Sequence, residues 1–109
     1  MKNANVFVDV DLTLVDDQQR LLPGAKEALH RLVEAGCHLY LWSTAGADYA
    51  RKIAALHQLT ELFEGFCPKP DILIDDMVST VQTNLIFNVH AEGSWQKTVE
   101  AIMDRHIDA

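Results

Sequence analysis

The chain has 109 residues, 49% of them apolar, which suits one folded domain over residues 1–109 and excludes a disordered or fibrous protein. Its net charge of −7 and its scattered basic residues exclude a basic nucleic-acid-binding patch. No apolar run is long enough to cross a membrane, and Cys37 and Cys67 lack the spacing of a metal or redox motif. We therefore expect a soluble, cytoplasmic protein with reduced thiols.

The first half of the chain alternates between strand and helix patterns. Residues 6–10 are mostly β-branched and aromatic, which predicts a buried strand. Pro23 and Gly24 then open a helix whose apolar residues recur at helical spacing as far as Gly36. A second strand is predicted at residues 37–42, directly after this helix.

The second half continues the alternation. A helix is predicted at residues 48–57, a loop at residues 65–70 and a strand at residues 72–74. A weaker strand is predicted at residues 85–89, and Ser94 is the expected N-cap of a last amphipathic helix. This order predicts an α/β domain with a Rossmann-like, doubly wound, mostly parallel sheet flanked by helices.

Polar side chains follow three of the predicted strands. They are Asp9 and Asp11, then Ser43 and Thr44, then Asp75 and Asp76. Because the carboxyl ends of parallel strands meet at one edge of a sheet, we expect these side chains to lie together. Four converging carboxylates need a cation to offset their repulsion, and hard oxygen ligands suit Mg²⁺.

Three segments of the sequence resemble motifs of the haloacid dehalogenase-like superfamily. The segment DVDLTL, which starts at Asp9, resembles the DxDxT signature, LYLWSTAG resembles the second motif, and ILIDD resembles the fourth. They occur in the superfamily's order and cover residues 6–76. The resemblance implies the fold of that superfamily and a Mg²⁺-dependent phosphatase that forms an aspartyl-phosphate intermediate.

The same resemblance implies a role for each matching acid. Asp9 would be the nucleophile and a metal ligand. Asp11 would be the general acid and base, and its backbone carbonyl would bind the metal. Asp76 would be the third protein ligand of the metal, with Asp75 beside it as a ligand or as a neighbour of one.

The resemblance also implies where the phosphoryl group would bind. Ser43 would donate a hydrogen bond to it, with Thr44 and the backbone N–H groups at the start of the following helix close by. Thr13 would lie at the same site and would mainly orient the turn after the first strand.

The superfamily's third motif is a basic residue, and Lys69 is the candidate for it. Lys69 precedes Asp75 by six residues, which is roughly 20 Å if an extended strand joins them. That distance leaves three alternatives: residues 66–70 loop back toward the site, another base such as Lys52 or Arg20 takes the role, or the role is unfilled.

Neither gap between the motifs has room for the cap domain that larger members carry. A capless enzyme leaves its site open or closes it with a neighbouring subunit, so a homo-oligomer is one expectation. The substrate is expected to be a phosphate ester, either a small molecule or a phosphate on a macromolecule.

Two other functional classes fit parts of the pattern. A phosphoacceptor receiver domain has a similar length and an acidic site, but its phosphorylated aspartate and its Lys-Pro dipeptide follow other strands than they do here. A binding module that keeps the hydrolase fold with little or no turnover is the stronger alternative, although the Asp9 and Asp11 pair argues against it.

Overall fold

The architecture is α/β, built on a parallel sheet whose strands lie side by side in chain order. A computed structural model describes residues 1–77 and 81–108. The elements in chain order are β1 (Asn5–Asp9), α1 (Ala25–Glu34), β2 (His38–Ser43), α2 (Ala47–Leu56), β3 (Phe63–Pro68), α3 (Val89–Glu92) and α4 (Trp95–Ile102). Short 3-10 turns lie at Thr60–Leu62 and Thr83–Leu85, and a π-helical turn, Met103–Ile107, follows α4.

The helices α1 and α2 lie on the same face of the sheet. Both connect neighbouring strands in one direction, and right-handed crossovers of that kind put their helices on one side. Strand β2 agrees with this, because Leu39 and Leu41 are buried while Tyr40 and Trp42 are only partly buried. The helix α4 packs on α1 rather than on the opposite face of the sheet.

Three helices follow the sequence prediction closely. The buried residues of α1, from Ala25 to Leu32, repeat at helical spacing, and Gly36 ends this segment with a φ of 91°. The helix α2 begins one residue before the predicted start. Ser94 caps α4, because its side chain accepts a hydrogen bond from the backbone N–H of Lys97.

The third strand lies before the predicted position. Residues 63–68 form β3, where a loop was expected at 65–70, and the predicted strand 72–74 is not formed. Ile72 is 83% exposed and Ile74 is 95% exposed. The physical reason is the length of the connection. A further parallel strand would have to begin at the edge of the sheet where β3 begins, which is about 20 Å from the end of a six-residue strand. The three residues between Pro68 and Ile72 span only about 10 Å.

The predicted fourth strand at residues 85–89 is also wrong. That stretch contains the end of the 3-10 turn Thr83–Leu85 and the start of α3. The side chain of Asn88 accepts hydrogen bonds from the N–H groups of His90 and Ala91. These bonds cap a helix that begins at Val89, within the predicted strand. Among residues 1–77 and 81–108, no helix has the length and apolar character needed to cross a bilayer.

Candidate functional site

Asp9 is the last residue of β1, and two side chains hold its carboxylate. The ammonium of Lys69 lies 3.1 Å from Oδ1 of Asp9. The hydroxyl of Thr13 donates a hydrogen bond of 3.2 Å to Oδ2. About a third of each charged side chain remains exposed, 34% for Asp9 and 31% for Lys69, so a solvent-borne ligand can approach the pair.

Lys69 reaches Asp9 because it directly follows β3. Its backbone N–H donates to the carbonyl of Ser43 at 2.9 Å, which continues the pairing of β3 with β2 past Pro68. The distance of roughly 20 Å inferred from the sequence assumed that Lys69 begins a strand leading to Asp75, and no such strand exists. The other basic candidate on the loop, Arg20, is paired with Asp16 instead.

The turn after β1 is closed by one backbone carbonyl. The carbonyl of Val10 accepts hydrogen bonds from the N–H groups of Thr13, Leu14 and Val15 at 3.3, 2.9 and 3.1 Å. Leu12 has a φ of 63°, a conformation uncommon for a branched side chain, and it is exposed. This tight turn directs the hydroxyl of Thr13 back to Asp9.

Asp11 lies on the exposed side of this turn, where Tyr49 fixes it. The phenol of Tyr49, in the first turns of α2, donates a hydrogen bond of 2.7 Å to Oδ1 of Asp11. That hydrogen bond is the main cause, and partial burial the second, of a pKa of Tyr49 above its ordinary value. The phenol therefore stays a donor at neutral pH. No sequence motif links Tyr49 to Asp11, although its position early in the helix after β2 is a signal for the carboxyl edge.

Residues of α3 and α4 make hydrogen-bond contacts with the same turn after β1. The indole N–H of Trp95 donates to the carbonyl of Thr13 at 2.8 Å, and Trp95 is buried. The Nε2 atom of His90 lies 2.6 Å from the carbonyl of Leu12. His90 thus lies against the turn that carries Asp11.

Ser43 is the last residue of β2, on its buried side, and Thr44 follows it. Ser43 is only 1% exposed, and its hydroxyl oxygen accepts a hydrogen bond of 3.0 Å from the N–H of Ala45. It therefore shapes the turn into α2, whose N-cap position is held by Gly46. Thr44 is exposed in this turn, and the predicted phosphoryl contact of either side chain stays a prediction.

Asp75 and Asp76 follow β3 in a segment without regular secondary structure. Both are exposed, and Oδ1 of Asp75 accepts a hydrogen bond of 3.0 Å from the N–H of Met77. Within the described ranges, 1–77 and 81–108, no group of three or more His, Cys, Asp or Glu side chains is placed to hold a metal ion. Within those ranges the four-carboxylate magnesium site is therefore not assembled, and Mg²⁺ as a cofactor stays a prediction.

Comparison with protein-family models, with curated proteins and with solved structures gives no match to this chain.

Proposed function

We propose that the chain is a phosphohydrolase of the haloacid dehalogenase-like type, which cleaves a phosphate monoester through an aspartyl-phosphate on Asp9. The contact between Lys69 and Asp9, 3.1 Å at the carboxyl edge of a parallel sheet, is the observation that supports it best. A carboxylate and a phosphate dianion repel each other, and an adjacent ammonium lowers that repulsion while leaving the carboxylate ionised. Thr13 holds the second carboxylate oxygen and so limits rotation of the nucleophile.

Proton transfer falls to Asp11 in this proposal. A carboxylate oxygen of Asp9 forms a bond to phosphorus, the ester P–O bond breaks, and Asp11 gives its proton to the departing oxygen. In the second step a water molecule gives a proton to Asp11 and attacks phosphorus, which frees Asp9 and inorganic phosphate. Tyr49 donates to Oδ1 of Asp11 and leaves the other carboxyl oxygen to carry the proton.

The proposal includes Mg²⁺ as a cofactor. Asp9 and Asp11, two residues apart in the sequence, would supply oxygen ligands to it. Such an ion would polarise the phosphoryl oxygens. Because the described residues do not complete a set of ligands for it, the steps above are assigned to side chains alone.

The test is turnover of a generic aryl phosphate by the purified chain, with Mg²⁺ and with a chelator. Asp9→Asn and Asp11→Asn should each abolish turnover, and Asp17→Asn, on the exposed loop nearby, is the matched control. Lys69→Met should lower turnover by about 10²- to 10³-fold through loss of positive charge at the nucleophile. Full activity of Asp9→Asn would contradict the proposal.

Lys52→Met is the matched control for Lys69→Met. Lys52 is exposed on α2 and was the other lysine considered for this role. A large loss in Lys52→Met, with Lys69→Met unaffected, would move the third-motif role to Lys52. Unchanged thermal stability in both variants would show that turnover, and not folding, is being measured.

A second candidate function is a binding module with weak or absent turnover. The absence of a three-acid group among the described residues favours it, because a hydrolase of this type would be expected to bring a third acid to the metal. Phosphate binding without turnover at any Mg²⁺ concentration would support this alternative.

A further inference from the structure

One face of the sheet carries aromatic rings, and no helix within residues 1–77 and 81–108 covers them. Phe7 on β1 and Tyr40 and Trp42 on β2 point away from α1 and α2, and we call these three side chains the aromatic face. Phe7 is 48% exposed, and Tyr40 and Trp42 are partly exposed. Parallel sheets are usually covered on both sides, so exposed apolar rings at such a position indicate a binding surface.

The rings of the aromatic face are mutually ordered. Phe7 stacks on Tyr40 with centroids 4.9 Å apart and an interplanar angle of 18°, and it meets Trp42 edge-on at 5.0 Å. Tyr40 also lies over Gly65, where an added Cβ would come within 3.0 Å of its ring. The three rings of the aromatic face therefore pack together as one surface.

The aromatic face is continuous with the candidate active site. Asp9 pairs with Trp42 in the β1–β2 register, and alternation along β1 puts Asp9 on the same side of the sheet as Phe7. The ammonium of Lys69 lies 3.1 Å from Asp9 and 5.6 Å from the centre of the Trp42 ring. A phosphoryl group at Asp9 would thus have an aromatic surface directly beside it.

We propose that the aromatic face binds the leaving group of the substrate, and that the substrate is a small phosphate monoester with a planar aromatic ring. This inference rests on the proposed function. A flat ring can stack on Trp42 or Phe7 while its phosphate reaches Lys69 and Asp9, whereas an aliphatic alcohol gains little from these rings. The open face accepts a ring without a cap domain.

The position of the ring along the strand separates two kinds of substrate. An aryl phosphate has its ring next to the phosphate, at Trp42. A nucleoside monophosphate has its base beyond the ribose, closer to Phe7, which is two residues or about 6.6 Å back along β1. Trp42 variants should therefore affect the first kind most, and Phe7 variants the second.

The experiment compares phenyl phosphate, adenosine 5′-monophosphate and glycerol phosphate as substrates of the full chain. Trp42→Leu or Phe7→Leu should raise KM for the preferred aromatic substrate by about tenfold to a hundredfold. KM for glycerol phosphate, which has no ring, should change much less than KM for the aromatic substrate, and Trp42→Phe should restore much of the loss. Circular dichroism verifies that each variant is folded. If Trp42→Leu does not fold, Phe7→Leu is the variant that tests the inference.

The outcomes separate this inference from the proposed function. If the wild type turns over all three esters and each variant lowers them equally, the inference is overturned and the proposed function stands. If nothing is turned over, the proposed function fails. Calorimetric binding of phenylphosphonate against inorganic phosphate then decides the inference: tighter phenylphosphonate binding that Trp42→Leu removes supports it, and equal binding overturns it. A dimer that buries Trp42 also overturns it.

Discussion

The phenol of Tyr49 donates a hydrogen bond of 2.7 Å to Oδ1 of Asp11, across 38 positions of sequence. Tyr49 lies on α2 and Asp11 on the turn after β1, so this contact joins the two segments that follow neighbouring strands. It fixes the orientation of the carboxyl group proposed to move protons, and Asp11 itself is exposed. Tyr49 is accordingly a positioning residue in the proposed mechanism.

Tyr49→Phe keeps the ring and removes this donor. We expect kcat to fall by about fivefold with KM nearly unchanged, as for the loss of one hydrogen bond of about 1 kcal/mol. The pKa of Tyr49 is raised, so the wild-type hydrogen bond is present below the ordinary tyrosine pKa of 10.0 and is lost only as pH rises through the higher folded value. A pH–rate profile checks this, and an unchanged kcat and profile would contradict it.

Trp95→Phe separates the packing of Trp95 from its hydrogen bond to the carbonyl of Thr13. The carbonyl would lose a partly buried donor, so the free energy of unfolding should fall by about 1–3 kcal/mol, part of it from the smaller ring. Because Thr13 holds Asp9, turnover should also fall. Urea denaturation measures the first effect. Stability loss with fully retained turnover would show that this hydrogen bond does not position the site.

Asp16 organises the loop that precedes α1. Its carboxylate accepts hydrogen bonds from the N–H groups of Gln18 and Arg20 and from the side chain of Arg20. The backbone hydrogen bond from Arg20 is the main reason that the pKa of Asp16 lies below its ordinary value of 3.8. The carboxylate therefore stabilises the fold above pH 3.8, and this contribution is lost as pH falls through the lower folded pKa.

Asp16→Asn should remove that pH dependence. We expect the melting temperature of the variant to lie below that of the wild type at neutral pH and the difference to shrink in acid. Asp17→Asn, at the neighbouring exposed position, is the matched control. A difference between Asp16→Asn and the wild type that stays constant down to the acid limit would contradict the assignment.

The local signals in the sequence predicted the helices and the first two strands well. Helical spacing, Gly36 and the Ser94 cap are properties of a few consecutive residues, and each is found in the structure. The segment 72–74 has an equally strong apolar pattern, but β3 ends only three residues before it, so its fate depends on where the previous strand ends. Local pattern carries no information on that distance.

The candidate site divides in the same way. Asp9 with Thr13 follows from the spacing within one motif, since the turn after β1 is short. The contact of Lys69 depends on β3 being a strand, and the glycine and proline residues in that stretch had indicated a loop. The partners Tyr49 and Trp95 come from distant helices whose orientation only tertiary packing determines.

Gly65→Ala tests the packing of the aromatic face without touching a ring. The added Cβ would lie 3.0 Å from Cδ1 and 3.4 Å from Cε1 of Tyr40, so the ring would have to shift on β2. Such overpacking typically lowers the free energy of unfolding by about 1–3 kcal/mol. Urea denaturation should show this loss, and near-ultraviolet circular dichroism should change because Tyr40 stacks on Phe7.

Tyr40→Leu supplies the control for Gly65→Ala. The smaller, flexible side chain leaves room for the methyl group, so the double variant should lose less stability than the sum of the two single variants. The difference is a coupling energy between positions 40 and 65, and we expect it to be about 1 kcal/mol. Additive losses would mean that Tyr40 does not rest on Gly65 in solution and that the aromatic face is less ordered than its ring contacts indicate.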